Sequence, residues 1–350
     1  MSEPQSRRAP ASAKRGRGEK PPATIYDIAE LAGVNPSTVS RALNKPGRVS
    51  AKTQKIIEDA AAQLHYRVNP FARALPTGRT QTIGLIVADI TNPTFFGIIR
   101  GAEATAAARD YTMVLAESAE SAETEVTAAR RLMGTVDGLI LASPRMDDEQ
   151  IRELAASKPL AVINREVLDV PCVVPEVNKG ISEAVRSFAA NGHKRIAYVA
   201  GPSRSWMSGR RWEGVLAASD WSKLDCFRIE SSKPTLDGGR QVARAVVESR
   251  ATAVITYNDL LAIGLMQELQ AAGIVIPDQV SIVGFDDIFG ADFTTPPLTT
   301  VRSPLGECGS EATTLLLDTL DGRGSSSSTV RVDTELVVRG SSGRLLAGKD

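Results

Sequence analysis

The sequence predicts a small all-α headpiece, a short hinge, and a two-lobed α/β core built on parallel sheets. Three observations carry that reading. Residues 24–64 hold three short helical segments with clear start and stop signals. From Thr82 onward, short and nearly continuous apolar runs alternate with amphipathic stretches, as strands covered on both faces by helices do. That alternation lasts about 270 residues, more than one sheet of usual size takes, so two lobes are expected.

The headpiece elements follow from their punctuation. Thr24 caps a helix running to about Ala32, with Asp27 placed for a capping box. Gly33 supplies the left-handed residue that ends it. Asn35 and Pro36 open a second helix to about Leu43. NKPGRV (44–49) is a loop, after which Ser50 caps a third helix with Ile56, Ile57, Ala60, Ala61 and Leu64 on one face. Ile28, Leu31, Val39 and Leu43 are expected to fill the angle between the first two helices.

VNPFARALP (68–76) has the punctuation of a helix with almost no helix between. Asn69 is an N-cap, Pro70 suits the first position, and Pro76 forbids continuation past Leu75. About two turns remain, below the ~12–15 residues an isolated helix needs in water. The segment is therefore expected to be helical only when docked.

In the core the strand runs are TIGLIVADI, YTMVLAES, VDGLILAS, PLAVINR, RIAYVAG, TAVITYN and VSIVGFDD. Residues 95–109, 121–134, 180–191, 208–218, 236–249 and 259–272 are the amphipathic stretches between them. GRGSSSS (322–328) reads as a flexible loop before one last strand, TVRVDTELVVRG (329–340). The expected division is a disordered basic tail (1–22), a helical headpiece (23–67), a hinge and linker (68–80), and a core (81–345). Lobe 1 is placed at about 81–180 and 304–325, and lobe 2 at about 181–303 and 326–342.

Composition narrows the function. Hydrophobic residues are 42% and charged ones 23%, a soluble globular balance without an apolar run long enough to span a membrane. The basic N-terminus lacks the apolar stretch of a secretory signal. Cys172, Cys226 and Cys308 are odd in number and far apart, which suggests a reducing, cytoplasmic compartment. The net charge of +0 conceals an asymmetry: residues 1–80 hold fourteen Lys and Arg against six Asp and Glu. A basic head on an acidic body points to a polyanionic partner. An enzyme is disfavoured. The two histidines, His65 and His193, have no nucleophile elbow or metal-ligand spacing beside them, and no P-loop is present. No cofactor or metal is expected.

TIYDIAELAGVNPSTVSRALN (24–44) joins two short helices through a Gly-containing turn, the helix-turn-helix arrangement. An ordinary αα-hairpin is the alternative. In the first reading Pro36, Ser37, Thr38 and Arg41 face the major groove. Arg41 offers a guanidinium fork to guanine, or else to phosphate. Thr38, Asn44, Ser50, Lys52 and Thr53 are candidate backbone anchors, and Arg48 suits either purpose. Arg73 and the tail arginines would add salt-dependent affinity.

That headpiece, with VSAKT and NPFARAL after it, closely resembles the head of the lactose-repressor (LacI/GalR) family of bacterial transcription regulators. NPTFF, GHKRIAYVAGP, SGRRWEG, YNDLLAIGL, VSIVGFDD and PPLTTVRSP resemble the family's core in the same order, so the likeness spans residues 23 to about 340. It implies a core like a type I periplasmic binding protein, a homodimer bound to a palindromic double-stranded DNA operator, and a sugar-like effector in the cleft. Pro36 and Ser37 stand at the family's specificity positions. The resemblance also implies that the 69–75 hinge helix folds on DNA and sets Leu75 into a minor-groove base step, with Asn69 and Arg73 beside it. Val68 departs from a frequent proline, and Asn164 and Glu176 from frequent aspartates.

Ligands of such folds bind beyond the C-terminal ends of the strands. The candidates there are Asp89 and Asn92 after the first strand, Asn164 and Arg165 after PLAVINR, Asn258 after TAVITYN, and Asp286 in VSIVGFDD. Arg211 joins them from a helix, and Phe96 or Trp206 would supply a stacking face. The resemblance favours Arg211, Asn258 and Asp286. Asp259 reads either as a cap or as a site residue, and Asp287 as a site residue or a structural carboxylate. A sugar receptor module without regulatory output is the competing function.

Overall fold

In the computed structural model the chain divides into two compact units, residues 1–78 and 79–350. Residues 23–44, 47–66, 78–324 and 328–346 are described. The expected basic tail and the hinge positions Asn69, Arg73 and Leu75 lie outside them.

The headpiece consists of α1 (Ile25–Ala32), α2 (Pro36–Asn44) and α3 (Ala51–Gln63). Thr24 donates to Asp27 Oδ2 from its amide at 2.6 Å and its hydroxyl at 2.7 Å, and receives the Asp27 amide in return. These bonds hold the Asp27 carboxyl below its ordinary pKa. Gly33 ends α1 at φ +64°. Ser50 accepts the Thr53 amide at 3.2 Å. Ile28, Ala29, Val39, Ala42, Ile57 and Ala60 form the core. Leu31 and Ile56, expected inside, are 47% and 42% exposed. The packed face of α1 is Ile25, Ile28, Ala29 and Ala32 at helical spacing, which leaves Leu31 off the stripe.

The core begins with β1 (Thr82–Val87), α4 (Thr94–Ala107), β2 (Thr112–Glu117), α5 (Ala122–Met133), β3 (Gly138–Ala142), α6 (Asp148–Ser157), β4 (Leu160–Ile163) and β5 (Cys172–Glu176). The chain then crosses to α7 (Val177–Ala190), β6 (Arg195–Val199), α8 (Trp206–Ser222), β7 (Asp225–Ile229), α9 (Leu236–Glu248), β8 (Ala253–Thr256), α10 (Asp259–Ala271), β9 (Ser281–Asp286) and β10 (Thr299–Arg302). It returns through α11 (Leu305–Leu320) to β11 (Thr329–Asp333) and ends in β12 (Glu335–Val337). One sheet has the order β11-β5-β4-β3-β1-β2, the other β12-β10-β9-β8-β6-β7. Pairing is parallel except for β12, which runs antiparallel to β10. The strands β3, β4, β8 and β9 are buried along their whole length, as helices on both faces require.

One expectation is corrected. Residues 329–340 are not a single strand of lobe 2. β11 pairs with β5 in the first sheet, Val330 beside Val173, whereas β12 pairs with β10 in the second, Leu336 beside Val301. The switch is at Thr334, 1% exposed, whose hydroxyl donates to the Glu176 carbonyl at 2.7 Å and accepts the Gly180 amide. Thr334 thereby ties the last crossover between the lobes to the first.

Helices α4 and α11 meet backbone to backbone. A Cβ on Gly309 would lie 2.1 Å from the Ile98 carbonyl oxygen, and one on Gly101 would lie 2.0 Å from that of Gly306. Helix propensity favours alanine at both sites, but the contact forbids it. Gly309→Ala is expected to destabilise the core by about 1–3 kcal/mol through overpacking, read as a lower midpoint of thermal unfolding by circular dichroism.

Candidate nucleic-acid interface and ligand cleft

The candidate DNA-contacting residues occupy the first turns of α2 and α3 and the approach to α3. Ser37, Arg41, Arg48, Ser50 and Lys52 are exposed, and Pro36, Thr38 and Thr53 are half-buried. Asn44 is the last residue of α2. Neither α2 nor α3 has an acidic side chain in its first turn, so their positive ends are open to phosphate. The Arg41 guanidinium curls back on its own helix, donating to the Ser37 carbonyl at 3.1 Å and the Ser37 hydroxyl at 3.3 Å. Ser50 and Thr53 share a hydroxyl hydrogen bond of 2.8 Å at the α3 cap.

Between the two lobes lies a narrow cleft, with a cavity of only about 20 Å³, walled by the C-terminal ends of the strands. The first lobe supplies Asn92 and Thr94 after β1, Glu120 after β2, Ser143 and Arg145 after β3, and Asn164 after β4. The second supplies Arg211 on α8, Tyr257 and Asn258 after β8, and Asp286 at the end of β9. Phe95, Met207 and Pro234 complete the wall. Glu120, Ser143, Asn164 and Asp286 sit at φ +60°, +60°, +65° and +102°. Non-glycine residues held there are strained, and such strain gathers at functional sites.

Two ion pairs organise the cleft, one buried and one partly exposed. Arg211 Nη2 donates to Asp286 Oδ1 at 2.7 Å, and Nη1 donates to the Tyr257 carbonyl. The guanidinium lies 3.6 Å from the Phe285 ring centroid and 5.0 Å from that of Tyr257. Thr94 Oγ1, from the opposite lobe, donates to Asp286 Oδ2 at 3.1 Å. In lobe 1, Arg145 Nε donates to Glu120 Oε2 at 2.6 Å and Nη1 to the Ser143 carbonyl at 2.7 Å. The amides of Arg145 and Met146 both donate to Glu125, at 2.7 and 2.8 Å. Burial pushes the Glu125 carboxyl above its ordinary pKa. Asn164 Nδ2 reaches the Ser143 hydroxyl at 2.8 Å.

Of the sequence candidates, Asn92, Asn164, Arg211, Asn258 and Asp286 converge here. Four do not line the cleft. Asp89 closes a local turn, accepting the amide and hydroxyl of Thr91 at 2.8 and 2.6 Å. Arg165 is committed to Asp148 at 2.5 Å and to the Met146 carbonyl. Phe96 is 42% exposed and lines a separate groove with Asp287, Phe289 and Arg302. Its neighbour Phe95 turns to the cleft instead, because one step along a helix rotates the side chain by about 100°. Trp206 carries the Arg210 guanidinium, 5.7 Å from its ring, and Met207 takes the cleft position. Glu120, Ser143 and Arg145 follow apolar runs just as the chosen residues do, and applying the strand-end rule to every run finds them.

Neighbouring alternatives are also decided. Asn258 caps α10, accepting the Leu261 amide at 3.0 Å. Asp259 is fully buried, with Oδ1 accepting the Thr300 hydroxyl at 2.6 Å and Oδ2 the Ile288 amide at 2.8 Å. Burial pushes its carboxyl well above the usual range. Asp287 is structural, paired with Arg302 and Arg339 at 2.7 Å each. His193 is buried between Thr252 and the Gly343 carbonyl. Among the described residues no acidic, histidine or cysteine cluster could hold a metal, and no helix is long and apolar enough to cross a membrane.

A model described as bacterial regulatory proteins, lacI family, matches residues 24–69, and one for a periplasmic binding protein-like domain matches residues 185–342. The HTH-type transcriptional repressor CytR of Escherichia coli (strain K12) is 32% identical over 335 residues, covering 93% of this chain and 98% of that protein. Among solved structures, the lac repressor dimer bound to operator and the anti-inducer ONPF matches with a TM-score of 0.84 and 26% identity, over 93% of this chain and 100% of its own. A complex of the transcriptional regulator CelR with cellobiose matches with a TM-score of 0.70 and 28% identity, over 91% and 99%.

The Asp259 geometry sets a pH dependence. A carboxyl whose folded pKa exceeds the unfolded value of 3.8 binds more protons when folded, so its contribution to stability falls as pH rises through that interval. The parent is expected to lose stability relative to Asp259→Asn as pH rises above the ordinary carboxylate range, measured by urea denaturation across pH.

Proposed function

The chain belongs to the LacI family of bacterial regulatory proteins, as a ligand-responsive, DNA-binding repressor rather than an enzyme, and on that premise we propose how its residues divide the work. Two copies bind an inverted-repeat operator. In each, Pro36, Ser37, Arg41 and Arg48 meet base edges, while Thr38, Asn44, Ser50, Lys52 and Thr53 hold phosphates. Residues 69–75 fold between core and DNA, with Asn69 and Arg73 at the minor groove and Leu75 as its wedge. The wedge costs a few kcal/mol of unstacking, offset by the bent site's larger contact. A sugar or related metabolite binds the cleft and, by changing the relation of the lobes, shifts the spacing at which two hinges can fold. The repressor works in the cytoplasm, on nucleoid DNA.

The observation that carries this reading is the convergence of amides, hydroxyls, guanidiniums and carboxylates from both lobes on one cleft. That CelR, with the same architecture, holds cellobiose supports the ligand class. The receptor module without output is disfavoured by the capped headpiece, whose α2 and α3 have no use in a receptor. Fluorescence anisotropy on the chain's own promoter DNA, with and without a sugar panel, tests the whole. A sugar that binds at a hundredfold its Kd is expected to add about 2.7 kcal/mol of stability and to change operator affinity. Unchanged affinity in the presence of a bound sugar would refute the coupling.

Arg41→Ala is expected to cost about 1–3 kcal/mol on the operator and little on scrambled duplex. Lys52→Ala should weaken both alike and flatten the salt dependence. Equal losses on both duplexes for both variants would remove the division between readers and anchors.

A further inference from the structure

We propose that Glu120 sets the charge selectivity of the cleft: by neutralising Arg145 it confines the site to uncharged, polyhydroxylated ligands, and without it the site takes anions. The proposal rests on the reading of the cleft as the effector site. Its charged lining is two guanidiniums and two carboxylates, matched pair by pair at 2.6 Å for Arg145–Glu120 and 2.7 Å for Arg211–Asp286. Both arginines are 4% exposed. An anionic ligand entering this balanced lining would be a charge without a counterion in a poorly solvated place. Hydroxyls, by contrast, find the amides of Asn92 and Asn164 and the hydroxyl of Ser143.

The two pairs are not equivalent. The Asp286 side chain is 5% exposed and is held by Thr94 as well as Arg211. The Glu120 side chain is 25% exposed and follows β2 in a loop. Arg145 is fixed without it: Ser143 holds its Nη1, and Glu125 clamps its backbone amide and that of Met146. Glu125 gives a single oxygen, Oε2, to those two amides and makes no side-chain hydrogen bond to the Arg145 guanidinium, and Arg165 is paired with Asp148. Removing the Glu120 charge therefore leaves Arg145 in position with its guanidinium unmasked, a preformed anion site.

The test uses the full chain and two anionic probes, inorganic phosphate and D-gluconate, against chloride of matched ionic strength. The parent is expected to show no midpoint shift in either. Glu120→Gln should gain a shift in both and bind gluconate about tenfold or more tighter than the parent by calorimetry. Glu120→Asp should behave as the parent, and Glu120→Gln with Arg145→Met should lose the gain. If the glutamine variant does not fold, Glu120→Ser carries the same comparison. Anion binding by the parent that Arg145→Met abolishes would overturn the proposal while leaving the cleft a ligand site. No gain in Glu120→Gln, or a gain that survives loss of Arg145, would overturn it too. Failure of the effector reading is registered separately, by operator affinity that ignores bound sugar.

Discussion

Asp286 gives one carboxylate oxygen to Arg211 in its own lobe and the other to Thr94 in the lobe opposite. The first bond gives a counter-charge to a guanidinium that is nearly out of water and whose Nε has no hydrogen-bond partner among the described residues, and the second bridges the cleft. A buried ion pair contributes little net stability, because desolvation offsets most of the attraction, yet losing one partner costs about 3–5 kcal/mol. The pair is thus a poor stabiliser and a stringent positioning device. The Thr94 bond is the weaker of the two, a single neutral hydroxyl on a carboxylate that keeps acceptor capacity. A ligand hydroxyl can take that place without disturbing Arg211, so the cleft can exchange an internal contact for an external one at small cost.

The parallel sheets make this arrangement available. Every parallel strand of a lobe ends at the same edge, so residues far apart in sequence reach one cleft without long excursions. Glu120, Ser143, Asn164 and Asp286 meet there in left-handed backbone, at a cost of order 1–3 kcal/mol each. For Ser143, Asn164 and Asp286, the fully buried strands behind them hold those conformations in place. Asn164 tolerates its conformation through its short amide, whereas Glu120 and Ser143 rely on the Arg145 network.

Much of this was legible in the sequence, for identifiable reasons. Thr24, Gly33, Pro36 and Ser50 act locally, so their caps and turns read directly from neighbouring residues. The strand runs read as apolar blocks because parallel strands bury both faces. What escaped lacked a local signal. β5 contains a proline, β7 alternates charge with apolar groups, and β10 is four residues of mixed character; their partners, not their composition, make them strands. Aromatic content marks Phe96 as readily as Phe95, because it does not report helix phase. A strand end names a neighbourhood, which includes Arg165 as well as Arg145, while only the fold shows that Asp148 holds the Arg165 guanidinium. Residues 329–340 look like one strand because nothing in TVRVDTELVVRG marks the change of sheet. It comes from a hydroxyl bond to a carbonyl 158 positions away.

That change of sheet governs the order in which the molecule can be completed. β11 is an outer strand of one sheet and β12 of the other, separated only by Thr334. As the chain emerges from the ribosome, neither sheet can be finished until this one stretch arrives, and both are then finished together. The headpiece, whose apolar core is drawn from residues 25–66, has no such dependence. The nascent protein therefore holds a complete reading head well before it has a complete sensor.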